Sequence, residues 1–261
     1  MNKPIQQQSS EWHEQWSMFE DKNSFLLSEW IYPATLEDFR DMDVLECGCG
    51  GGQHIAEVAP YAKSVTAVDL NTVDIAIARN EGRDNIELMD ADLVTLDLGK
   101  QFDIVYCIGV IHHTDDPDKV FERIYQHCKP GGKVIIWTYS AEGNAMVRYG
   151  VEPVRKLFLK NISRNSLLRL SKVITALLYP LIYTVYMIPF LSFLPYFQYF
   201  KNARRMTFER NVLNVFDKLN APQTRFTTRK KCDEWMGSDR FKDISITPYV
   251  GVSYSLVGTK I

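Results

Sequence analysis

The densest cluster of residues able to hold a ligand is Val44–His54, VLECGCGGGQH. An apolar run ends at Glu46, a turn supplies Gly48, Gly50, Gly51 and Gly52, and a helical pattern follows, so the turn leaves bare backbone open to a ligand. In a phosphate-binding dinucleotide fingerprint a glycine would stand at position 53, where this chain has Gln53, and an acid two residues before the first glycine is foreign to that pattern. Phosphate is therefore not the expected guest. Asp69 closes the next apolar run, SVTAVDL, seventeen residues beyond Gly52, where a carboxylate can accept from both hydroxyls of a ribose. Asp92 follows in IELMDADL, placed to accept from an exocyclic adenine amine. Glycines, ribose acid and adenine acid in one order point to a nucleoside-bearing ligand. His112 and His113 come just after the fourth apolar run, and an imidazole titrates near neutral pH, so either is a candidate base.

These residues need a frame to hold them. From Asp43 to Tyr139, short β-branched runs alternate with helical stretches, the pattern of βαβ units on a parallel sheet. Strands are expected over Val44–Glu46, Ser64–Asp69, Ile86–Asp90, Phe102–Ile108 and Lys133–Tyr139, with helices over Gln53–Ala59, Thr72–Asn80 and Pro117–Cys128. A short helix from Thr227 or Thr228 to Met236 precedes an alternating hairpin, Asp243–Pro248 and Val252–Thr259. The expected fold is α/β, a doubly wound sheet. Its core would comprise residues 41–141 and 227–261, with a helical cap at 1–40 and a helical insertion at 142–226 that lies over the site.

The segment Asp43–Tyr139 resembles a class I S-adenosylmethionine-dependent methyltransferase, with ECGCGGG as first motif, VDL as second, DAD as third, FDIVYCIGVIHHTDDP as fourth and KPGGKVIIWTY after it. The flanks resemble one branch of that family, in Glu11, Trp12, Trp16 and Phe19 before the core and Phe216, Asp217, Leu219 and Pro222 after the insertion. Where that branch often carries two prolines and a tyrosine, this chain has Ala221, Pro222 and Gln223. The resemblance implies a seven-stranded Rossmann-like sheet with its last strand antiparallel, and S-adenosylmethionine as cofactor. It places Glu46, Gly48, Cys49, Gly50, Gly52, Asp69, Leu70, Asp92, Leu93 and Ile108 around that cofactor. His113 and His112 are the expected catalytic residues, and Trp16, Tyr139, Asn144 and Arg205 the expected acceptor contacts. Asp115 and Asp116 read as caps of the helix at Pro117.

At 261 residues, with 46% hydrophobic and 24% charged residues, the chain has the composition of an ordinary globular protein. Its net charge of −2 hides a split, because Met146–Arg210 holds eleven Lys and Arg against Glu152 and Glu209, a local charge of +9. Within it Val173–Phe200 runs twenty-eight residues without a formal charge. Pro180, Pro189 and Pro195 interrupt that run and disfavour a spanning helix, leaving either a packed lid or an element lying in an anionic membrane interface. Five cysteines, an odd number, and an N-terminus without an apolar secretory core read as cytoplasmic, and no spacing suits a structural metal. The expected reaction is methyl transfer to a small, lipophilic or lipid-linked acceptor, most naturally at oxygen. The alternatives are a catalytically silent S-adenosylmethionine-binding module and a nicotinamide-dependent oxidoreductase, the latter opposed by Gln53 and Asp92. Nucleic acid is not an expected partner, because IGVIHH replaces a base-amine motif and the basic stretch is interleaved with aliphatics. Oligomeric state is not legible.

Overall fold

The computed structural model describes residues 5–19, 25–159 and 161–261. Residues 1–4 and 20–24 of the expected N-terminal cap, and Lys160 of the basic stretch, lie outside the described residues. The sheet runs β1 (Asp43–Cys47), β2 (Ser64–Asp69), β3 (Ile86–Asp90), β4 (Phe102–Ile108), β5 (Cys128–Tyr139), β6 (Phe241–Tyr249) and β7 (Ser253–Lys260). Its order is β3-β2-β1-β4-β5-β7-β6, with β7 antiparallel to both β5 and β6. The expected doubly wound sheet with a late hairpin is therefore present.

Alternate residues of each central strand feed opposite faces of the sheet, because the side-chain period is two. On one face Val44, Ile104, Tyr106, Ile108, Ile135 and Trp137 join a cluster with α2 (Phe25–Trp30) and α3 (Gln53–Val58). On the other, Leu45, Cys47, Val105, Cys107, Val134 and Ile136 pack on α5 (Pro117–His127) and on Cys232 and Trp235 of a short late helix. All five cysteines are buried in these faces. Asp116 caps α5 through the Lys119 amide, 3.1 Å away, as its sequence position suggests. Between α3 and α5 lies α4 (Val73–Arg79).

Three expectations need correction. The fifth strand, expected over Lys133–Tyr139, already begins at Cys128 and takes in the Lys-Pro-Gly-Gly segment. The pairing jumps from Phe102↔Cys128 to Ile104↔Lys133, so the segment is an irregularity within a strand pair. β6 likewise starts at Phe241, with a register shift between Lys242 and Ser245 that hides the alternation. Pro180 does not break the insertion's first long helix, α7 (Arg164–Ile182), but sits in its last turn and the helix stops two residues later.

Ahead of α7 comes α6 (Glu152–Val154), a single turn between the wider turns Val147–Val151 and Arg155–Leu159. After it, short 3-10 turns lead to α8 (Phe197–Ala203), α9 (Phe208–Asn220) and α10 (Arg229–Trp235). The insertion is not separate from the core, since Ile182, Ala203 and Met206 share one apolar cluster with Trp30, Ile31 and Trp137. At the N-terminus α1 (Ile5–Met18) lies across the carboxyl ends of the strands, tied by Gln15 to Asn220 at 3.0 Å and by Glu11 to Arg164.

The turn after β5 is locked against the β6–β7 hairpin. Asn144 Nδ2 donates to the carbonyls of Ser140 (2.8 Å) and Val252 (2.6 Å), and a Cβ on Gly143 would fall 1.7 Å from the Gly251 carbonyl oxygen. Gly143→Ala is therefore expected to force the turn off the hairpin, lowering stability by about 2 kcal/mol in chemical denaturation.

Candidate active site

A cavity of about 240 Å³ opens at the carboxyl edge of the sheet, where the loops after β1 and β4 part. The glycine turn forms its floor. At Gly50, φ is +52° and a Cβ would meet the Trp16 indole at 2.8 Å, so the turn needs glycine both for its backbone and for the approach of α1. Gly52 serves a different purpose. It caps α3 in a left-handed conformation, and a Cβ there would press on Asn80 and on the Cα of Ala76, so it permits the packing of α3 on α4 and does not reach the cavity.

Asp69 ends β2 beside this turn. One oxygen accepts from the Gly50 amide at 2.8 Å, and the carboxylate lines the cavity. Burial pushes its pKa up to about 6, against which the Gly50 and Leu70 amides act only in part; the neighbouring charge is Glu46, of the same sign. A half-buried carboxylate with no cationic partner among the described residues fits a ligand that brings hydroxyl donors. Asp92 folds onto its own turn by accepting from the Val94 amide at 2.9 Å, and it lines the cavity with Leu70, Leu93 and Ile108. The wall from Gly48 through Asp69 to Asp92 thus suits a nucleoside with an apolar-flanked base.

Four expected contacts lie elsewhere. Glu46 is fully buried beneath the turn, where Tyr106 donates to it at 2.7 Å and His54 lies 3.4 Å away; it supports the loop from below. Gly52 is the helix contact just described. Arg205 pairs with Glu29 at 2.6 Å and covers the ring of Phe25, so it is engaged away from the cavity. His112 is buried behind Tyr139, outside the cavity wall, and its Nδ1 accepts from the Tyr139 amide at 3.4 Å. The amide can only donate, so the ring proton of neutral His112 resides on Nε2 and no free lone pair remains for a base. Burial also drives its pKa well below the usual imidazole value.

His113 has the opposite arrangement. Its Nδ1 lies 2.9 Å from the Gln223 carbonyl, which can only accept, so Nδ1 carries the proton and Nε2 keeps its lone pair. The ring lines the cavity, packs at 4.8 Å and tilted by 51° against Trp12, and presents Nε2 to Asp217 at 4.0 Å. Burial lowers its pKa, with the Asp217 charge opposing the shift, so the imidazole is neutral at physiological pH. Asp217 Oδ2 also accepts from the Tyr139 hydroxyl at 3.0 Å.

Beyond Arg210, which the basic stretch offers as a contact for an anionic acceptor or lipid phosphates, the structure adds wall residues outside the expected set. Arg210, Leu213, Asn214, Asp217 and Lys218 all line the cavity from one side of α9, at spacings of three and four. That periodicity is present in the sequence, but a polar helical stripe also describes a solvated face. Arg79 was likewise unassigned. It donates to the carbonyls of Trp16 (2.6 Å) and Phe19 (2.7 Å), clamping the end of α1 over the glycine turn. The expected contacts Trp16, Tyr139 and Asn144 do line the cavity, as do Gly48 and Cys49.

This strand order, the antiparallel β7 and a glycine-floored cavity at the carboxyl edge define the class I methyltransferase fold. Residues 45–136 match the family described as methyltransferase domain. The chain is 31% identical over 121 residues to a ubiquinone biosynthesis O-methyltransferase of Pseudomonas fluorescens, a match covering 44% of this chain and 52% of that protein. The chain thus spans about half the length of that curated relative. Among solved structures it resembles the N-methyltransferase NodS of Bradyrhizobium japonicum WM9 in complex with S-adenosyl-L-homocysteine, with a TM-score of 0.51 at 10% identity over 98% of this chain and 97% of the other. It also resembles human N-acetylserotonin methyltransferase in complex with its cofactor, with a TM-score of 0.51 at 14% identity over 97% of this chain and 56% of that one. At such identities the two structures speak for the fold alone.

A ligand whose hydroxyls donate to Asp69 binds its ionised form, so binding must release the proton held below pH about 6. Calorimetric affinity for S-adenosylhomocysteine is expected to weaken as pH falls through that value, by up to about tenfold per unit. In Asp69→Asn the affinity should be lower throughout and this pH dependence absent.

Proposed function

We propose that the chain methylates a hydroxyl of a small lipophilic acceptor, with His113 as the base. The observation that carries this reading is the tautomer of His113, fixed by the Gln223 carbonyl so that a bare Nε2 faces the cavity. An amine acceptor does not require a base of this kind, whereas a hydroxyl must lose its proton as it is methylated. The Pseudomonas fluorescens relative bears the name of an O-methyltransferase, which supports the same reading. The far wall of the cavity, with Leu26, Trp30, Trp137, Met206, Leu213 and Tyr249, favours an apolar or aromatic acceptor.

S-adenosylmethionine, when bound, supplies a methyl group on a positively charged sulfur. Gly48–Gly50, Asp69, Asp92, Leu93 and Ile108 are the residues that would hold it. His113 Nε2 takes the acceptor's hydroxyl proton while the oxygen gains the methyl group, and the carboxylate of Asp217 at 4.0 Å stabilises the imidazolium that results. Tyr139, bonded to Asp217, keeps that carboxylate turned toward the cavity. Trp12 and Gln223 hold the ring from its face and its Nδ1 edge. Trp16 and α1 roof the site and exclude water.

The test is transfer of labelled methyl from S-adenosylmethionine to a panel of hydrophobic phenols and matched anilines. Phenol ethers are the expected products, and label found only on the anilines would sink the reading. With a working acceptor, His113→Ala should lower kcat by about a hundredfold and remove the acid limb of the rate profile, which lies below the usual imidazole value because burial lowers the pKa. His112→Asn should leave the position of that limb unchanged.

A further inference from the structure

α7 is apolar on both sides. Leu167, Ser171, Thr175 and Ile182 are buried, whereas Arg169, Val173, Leu177 and Leu181 recur every four residues on the opposite side and face solvent, with Leu177 70% exposed. The row continues into a tip opened by Pro189, whose Phe190 and Phe193 rings are 83% and 72% exposed and meet edge to face. Single exposed apolar residues are ordinary on a soluble surface, but a continuous row ending in two bare phenyl rings is not.

The charge around this row is one-sided. No carboxylate occurs between Glu152 and Glu209, and Arg169, Lys172 and Lys201 are exposed, with no ion pair among the described residues. The other basic residues of the insertion are largely engaged inside the molecule. Arg155 pairs with Glu152, Arg164 with Glu11 and Arg205 with Glu29, while Arg204 donates to the carbonyls of Ile182 and Tyr186. The +9 of the sequence therefore shrinks to a few cations placed beside the apolar row.

We propose that the outer row of α7 and the Phe190–Phe193 tip dock on an anionic lipid bilayer, lying in its interface. Phenyl rings and aliphatic side chains enter the acyl boundary while Arg169, Lys172 and Lys201 reach lipid phosphates. No helix among the described residues is long and apolar enough to cross the membrane. A second copy of the chain is a poor occupant, because the same face would oppose cations with cations and offer no carboxylate. The tip leads directly into α8, whose Tyr199 and Asn202 line the cavity, so a lipophilic acceptor held in that bilayer lies near the site. That delivery rests on the proposed function; the docking does not.

The experiment is flotation of the 261-residue chain with vesicles of phosphatidylcholine alone or mixed with phosphatidylglycerol, at low and high salt. The chain should float with the anionic vesicles and less so in high salt. The Phe190→Ser/Phe193→Ser double variant should bind more weakly by about tenfold for each ring removed. Its melting temperature and its affinity for S-adenosylhomocysteine should match the parent, which separates lost docking from a lost cofactor site. Arg169→Glu/Lys172→Glu should abolish the preference for phosphatidylglycerol. The proposal is overturned if the chain stays in solution with every vesicle, if the double phenylalanine variant floats like the parent, or if sedimentation velocity shows a lipid-independent dimer that this variant dissolves.

Discussion

β1 and β4 are hydrogen-bonded neighbours, but the chain leaves them toward opposite flanks of the sheet, β1 toward β2 and β4 toward β5. Their two loops must diverge, and the crevice between them exists whatever side chains the chain carries. The remaining structure converts that crevice into a closed chamber. The glycine turn keeps the floor low, Asp69 ties the turn to the end of β2, and α1 lies across the top with Trp16 against Gly50. The wall opposite comes from α9, at the end of the insertion.

Much of this was legible in the sequence because strands β1 to β4 are short and bounded by turn residues, and β1, β2 and β4 are buried along most of their length. The residues near the cofactor wall were legible for a related reason. A glycine turn and acids at successive strand ends leave a linear signature, since each sits one residue beyond an apolar run. Glu46 and Gly52 share that signature without reaching the cavity, one supporting the turn through Tyr106 and the other admitting α4. Linear spacing does not distinguish a residue that touches a ligand from one that shapes the loop. The two histidines show the same limit, because their different settings come from which backbone group meets Nδ1.

The acceptor half was less legible. Arg205 looked available in a basic stretch, but Glu29, far away in sequence, neutralises it. Asp217 and Lys218 belong to an amphipathic helix whose polar stripe turns inward. Pro180 shows how position overrides propensity, since a proline in the final turn of a helix removes only one bond near an end that is about to stop.

The cavity wall draws on residues from Trp12 to Val252, nearly the span of the whole chain, and the roof is fastened to the far end of the insertion through Gln15 and Asn220. The chamber is therefore complete only when these sequence-distant segments are assembled together. Anything that fills it touches α1, the carboxyl edge of the sheet, α9 and the turn between β6 and β7. Occupancy and global folding are then one linked equilibrium, in which each tenfold excess of ligand over its dissociation constant adds about 1.4 kcal/mol to the stability of the entire molecule. An empty chamber is accordingly the least cohesive state of the protein.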